Sequence, residues 1–83
     1  MRILTTEDAY YRCSDFPLIV SLSIWLPIIA IDRTDPRRVY FLFLRSNELD
    51  SLVANYNRRE LRVEPQAFYH ATKNVKARLY EDD

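Results

Sequence analysis

The chain has 83 residues, 48% hydrophobic and 13% aromatic, with twelve cationic and twelve acidic side chains. That length suits one domain near the small end of what supports a core. The apolar content excludes a disordered composition, and zero net charge argues against a generic polyanion binder.

In chain order, residues 1–12 read in two ways. Ile3–Thr5 can be a short strand, or Thr6-Glu7-Asp8 can start a turn of helix. Only Arg2 precedes those acids, and no small-residue cleavage site follows the apolar run, so a secretory signal is not expected. The run itself is Phe16–Ile31, sixteen residues without a charge between Asp15 and Asp32. It must be hidden from water, and Pro27 splits it, because proline lacks the N–H and clashes with the preceding turn. Ser14 can cap a helix, Asp15 suits the positive end of its dipole, and Pro17 falls in the first turn. This first helix should span about Asp15 to Ile24. Phe16, Ile19, Val20 and Ser23 face one way while Leu18, Leu22 and Trp25 face another, so it should lie between layers. A membrane span is disfavoured: the run is shorter than the roughly 20 residues required, and proline interrupts it.

Pro27–Asp32 reads as a strand rich in β-branched residues. Arg33–Arg37 is a polar, proline-containing turn. Arg38–Leu44 reads as a second strand, with Val39, Phe41 and Phe43 on one face and Tyr40, Leu42 and Leu44 on the other. The short connection makes an antiparallel hairpin. Ser46 caps the next helix, whose stripe is Leu49, Leu52, Val53 and Tyr56 and which ends at Asn57-Arg58-Arg59. Leu61-Arg62-Val63 alternates and supplies a short third strand. Pro65 opens the last helix, with Phe68, Ala71, Thr72, Val75 and Leu79 as its stripe, ending near Tyr80. The fold class is α+β, order α-β-β-α-(β)-α, a hairpin packed against helices. It forms one domain over residues 1–83, with segment 1–11 unassigned and an acidic tail at 81–83. The core cluster should hold Leu22, Ile29, Phe41, Leu52, Tyr56, Phe68, Val75 and Leu79.

Several of these segments together resemble a known family. They are Arg12-Cys13-Ser14-Asp15 before an apolar helix, Ile31-Asp32-Arg33, and Arg38-Val39-Tyr40-Phe41-Leu42-Phe43. Leu52-Val53 with Tyr56, Arg62-Val63 with Pro65, and Lys76 with Leu79-Tyr80 complete the pattern. Over residues 12–80 the chain is similar to a small domain family of unknown function in bacteria, including cyanobacteria, and their phages. That family usually has a glycine-bearing turn after its first helix, where this chain has Ile24-Trp25-Leu26-Pro27. The resemblance implies a cytoplasmic bacterial or mobile-element protein and brings no catalytic residues with it.

No residue pattern points to catalysis, and no cofactor or metal is expected. Glycine is absent from the chain. That removes the P-loop and the dinucleotide fingerprint, both of which need backbone approach without a Cβ. His70, the one histidine, reads as a solvated side chain on the last helix. Cys13 precedes a helix N-terminus, where a thiolate is favoured. Without a base or a second cysteine it reads as a small buried hydrophobe. It cannot form an internal disulfide, which suits a reducing cytoplasm. The acidic residues lack metal-ligand spacing.

The distribution of charge is more informative than its sum. Residues 33–45 carry a net +3 and residues 54–80 a net +4. Arginine outnumbers lysine there, and Tyr40, Tyr69 and Tyr80 lie nearby. Arginine with tyrosine is the composition of a recognition surface, for protein or for nucleic acid. The candidate interaction surface is Arg37, Arg38, Tyr40, Arg58, Arg59, Arg62, Tyr69, Lys73 and Lys76. The second face of strand Arg38–Leu44 needs cover, from the N-terminal segment or from another subunit. The sequence therefore reads as a non-enzymatic interaction module that binds a protein partner or forms a homodimer. Binding of DNA or RNA is the alternative and an enzyme the third reading. No membrane and no small-molecule substrate are expected.

Overall fold

Pro27 divides the uncharged run as its chemistry requires. In the computed structural model, which describes residues 9–81, helix α1 covers Phe16–Trp25 and ends when Leu26 N–H bonds the Leu22 carbonyl. Five consecutive residues, Leu18 to Leu22, are buried. Successive helical residues point about 100° apart, so such a run must be covered on every side. The hydroxyls of Ser21 and Ser23 donate back to the carbonyls of Pro17 and Val20, which satisfies both inside the apolar helix. The N-cap is Asp15 rather than Ser14, and its side chain makes no capping bond. Its carboxylate instead accepts the Tyr56 hydroxyl at 3.0 Å.

Strand β1 is Tyr10–Cys13, β2 is Ala30–Asp32 and β3 is Tyr40–Leu44, in spatial order β1-β3-β2. The β2–β3 hairpin is antiparallel, with Ala30 opposite Leu42 and Asp32 opposite Tyr40. Strand β1 is also antiparallel to β3, with Tyr11 opposite Phe43 and Cys13 opposite Phe41. The third strand therefore comes from before α1. Leu61–Val63 has no strand conformation. Its alternation offers only two half-buried side chains, whereas β1 places Cys13 in the core beside Phe41. The expected strand Pro27–Asp32 shrinks to three residues. Alternatives for residues 1–8 lie outside the described residues.

Turns form without glycine. The Asp32 carboxylate accepts both the N–H and the hydroxyl of Thr34, and Asp35 accepts the N–H of Arg37. These side-chain bonds imitate a backbone turn. Helix α2, Asn47–Asn57, starts as expected, with Ser46 Oγ accepting Leu49 N–H at 3.0 Å. It ends with Arg59 at φ 63°, the left-handed position where glycine is usual. Arg59 N–H bonds the Tyr56 carbonyl and Glu60 N–H bonds the Asn55 carbonyl, the paired bonds of a Schellman cap.

Helix α3 spans Pro65–Leu79 with proline in its first turn. Glu64 caps it, accepting the N–H groups of Gln66 and Ala67 at 3.0 and 2.9 Å. At the other end Arg33 donates to the carbonyls of Arg78 and Leu79, which ties the hairpin turn to the helix C-terminus.

The sheet's inner face, α1, α2 and α3 meet in one core that includes Leu22, Phe41, Phe43, Leu49 and Val75. Leu52, Tyr56, Phe68 and Leu79 pack around it as expected. Ile29 does not join it and is 44% exposed. It lies in the extended link between Pro27 and β2, where only its N–H is held, by the Leu42 carbonyl.

Two outcomes follow from this packing. Phe41→Ala empties a fully enclosed site and should lower unfolding free energy by about 3–5 kcal/mol in urea titration. Ile29→Ala should cost far less, and equal losses would mean the inward face has been misassigned. The second outcome concerns Glu64, whose two N–H bonds hold its carboxyl below the usual range. A depressed native pKa stabilises the fold above the unfolded-state pKa, and the effect is lost as pH falls through the native value. Thermal melts of Glu64→Ala should therefore lie below wild type at neutral pH. The two should converge as pH falls through the native Glu64 titration, below the ordinary carboxylate range, and an unchanged gap would refute the cap.

Candidate interaction surfaces

Alternation along β3 divides the sheet. Phe41 and Phe43 are enclosed, while Leu44 on the opposite side is 56% exposed. The register sets Tyr10 and Arg12 of β1 against Leu44 and Leu42, and Ala30 of β2 against Leu42. These residues with Tyr40 and Asp32 form an outward face. Across it, the Arg12 guanidinium reaches Asp32 Oδ2 at 3.1 Å and lies 4.1 Å from the centre of the Tyr40 ring. The Asp32 carboxyl sits below its usual range, chiefly through the Thr34 hydroxyl and N–H and then through Arg12. A partly exposed ion pair of this kind contributes little stability, but it fixes the orientation of Tyr40. Strand β1 pairs with the edge of β3. The expectation that the N-terminal segment covers this face falls on residues that include 1–8, outside the described residues.

The nine residues of the candidate surface divide among four places. Tyr40 belongs to the sheet face. Arg37 and Arg38 are exposed in the β2–β3 turn. Arg58, Arg59 and Arg62 stand in the loop between α2 and α3. Two of these are engaged locally: Arg58 bonds Glu60 Oε1 and Asn55 Oδ1, and Arg62 bonds the Arg59 carbonyl. Tyr69, Lys73 and Lys76 stand on the outward side of α3. Lys73 Nζ lies 5.4 Å from the Tyr69 ring centre, and His70 meets that ring edge-on at 5.7 Å. The inner sheet face and the Ala71–Val75 side of α3 border the same core. The nine residues thus come from four separate segments of the chain, of which the β2–β3 turn is tied to the end of α3 through Arg33.

Sequence reasoning passed over Arg12, Asp32 and Tyr10 as surface residues. The signal was present in Tyr10-Tyr11-Arg12-Cys13, where polar and apolar positions alternate with the period of a strand.

The reactive side chains are placed for structure. Cys13 is buried, and that burial pushes its thiol up, away from the thiolate. Tyr56 is raised first by desolvation and then by its bond to Asp15. His70 is exposed. Two open grooves exist. One of about 470 Å³ is lined by Tyr56, Asn57, Arg59 and Leu61. The other, of about 440 Å³, runs between the end of α1 and α3, past Leu26, Ile28, Ala71 and Arg78. Among the described residues there is no group of three or more His, Cys, Asp or Glu side chains able to hold a metal ion. No described helix is long and apolar enough to cross a membrane.

No curated protein and no solved structure matches the chain. One family model does match, over residues 8–81. That match spans β1 through α3 and the turns that hold them, and so the chain belongs to the family described as Domain of unknown function (DUF5659).

Proposed function

We propose that this chain is a non-enzymatic, cytoplasmic interaction module that binds a protein partner or a second copy of itself through the outer face of its sheet. The observation that carries this reading is the outward face around Leu44, which is 56% exposed. Leu42, Leu44 and Tyr10 give it an apolar centre, and Arg12, Asp32 and Tyr40 give it an oriented polar border. An apolar patch with a polar rim is the anatomy of a protein interface. Tyrosine and arginine are the residue types that most often dominate such contacts. Among the described residues β1 and β2 each pair on one side only, and open edges favour association.

The test is gel filtration with light scattering on wild type and Leu44→Arg. Leu44 is outward, so the variant should keep the wild-type melting temperature. A wild-type dimer that becomes monomeric in the variant supports the self-association form of the reading. A monomer that retains a defined protein on an affinity column, lost with Leu44→Arg, supports the heterologous form. A wild-type monomer with no such protein, and no difference between the two chains, refutes both.

A further inference from the structure

Helix α3 has an outward face that the sheet reading does not use. Its sequence from Pro65 to Leu79 contains no carboxylate. Gln66, Tyr69, Lys73, Lys76 and Tyr80 are spaced three, four, three and four residues apart, so they form one line along the helix. All five are exposed. At 1.5 Å per residue the line is about 21 Å long. Tyr69 and Tyr80 are 60% and 73% exposed, and the two lysines lie between them.

Acidic residues follow the line directly, at Glu81, Asp82 and Asp83 beyond Tyr80, so the cationic stretch is Lys73 to Lys76 at its middle. The carboxylates nearest in sequence before the helix are already engaged. Glu64 accepts two N–H groups at the start of α3, and Glu60 pairs with Arg58. Arg59, Arg62, Lys73 and Lys76 are exposed, and among the described residues none of them is paired with a carboxylate. The whole chain is neutral, but salt confines the field of an exposed charge to about 10 Å. The local excess is what a ligand meets.

We infer that this face of α3 binds single-stranded nucleic acid. Lysines on the line neutralise phosphates, and the exposed tyrosine rings offer flat apolar faces for unpaired bases to stack on. A duplex hides its base faces and cannot use the rings. A protein partner is the poorer fit, because lysine is depleted in protein interfaces. The surface is separate from the sheet face, so the two readings stand or fall independently.

The test is fluorescence anisotropy with a labelled oligothymidylate of about 20 nucleotides, an RNA of equal length and the matching duplex. Micromolar binding of the single strands at about 50 mM salt is expected, weakening steeply as salt rises. The duplex should bind at least about tenfold more weakly. Replacing Lys73 and Lys76 together by Ala should lower the magnitude of the salt slope by about 1.4. Tyr69→Ala should weaken binding about tenfold and leave the slope unchanged. Circular-dichroism melts should show all variants folded, and Leu44→Arg should bind like wild type. Absence of single-strand binding at low salt overturns the inference. So does duplex binding of equal strength, competition by polyglutamate as effective as that by the oligonucleotide, or variants indistinguishable from wild type.

Discussion

The rest of the structure depends on the burial of α1 on every side. Leu18, Ile19, Val20 and Leu22 each leave water completely or nearly so. Each such side chain contributes about 1.5–3 kcal/mol of transfer free energy. No single neighbour can cover consecutive residues of a helix. The inner sheet face, α2 and α3 are therefore all drawn to it, and each needs only one apolar side. Among the described residues, that leaves Leu44 on the outer sheet face and Tyr69, Lys73 and Lys76 on the outer side of α3 exposed. Recognition chemistry can stand there without disturbing the core.

The chain meets this demand with no glycine at all. Carboxylates replace backbone freedom at the turns: Asp32 and Asp35 shape the hairpin connection, and Glu64 starts α3. Arg59 adopts the left-handed conformation itself, a strain of about 1–2 kcal/mol that the two Schellman bonds help offset. Asp32, Asp35, Glu60 and Glu64 are in this way engaged in local structure. The cations are mostly left outside it, so a neutral composition coexists with cationic stretches on the surface.

The two outer faces differ in kind. The sheet face is apolar at Leu42 and Leu44 and carries one internal ion pair that orients an aromatic ring. The α3 face is a line of tyrosine and lysine with no acid. The proposed protein contact rests on the first and the proposed nucleic-acid contact on the second.

Local chemistry was enough to read α1, α2, α3 and the β2–β3 hairpin. The uncharged run and Pro27 determined α1 and its end, Ser46 determined the start of α2, and the spacing of Phe68, Ala71, Val75 and Leu79 determined the buried side of α3. Alternation determined which residues of β3 point inward. The tertiary structure decided which segment completes the sheet. Tyr10–Cys13 and Leu61–Val63 both alternate, but only the first meets β3 in a register that buries Cys13 beside Phe41. It also decided that Asp15 bonds Tyr56 rather than its own helix and that Arg33 closes the end of α3. It left Ile29 outside the core and set Arg12 over Tyr40. Each of these joins residues far apart in the chain. Sequence periodicity reports the environment along one element, and it holds no information on which distant side chain will fill the space beside it.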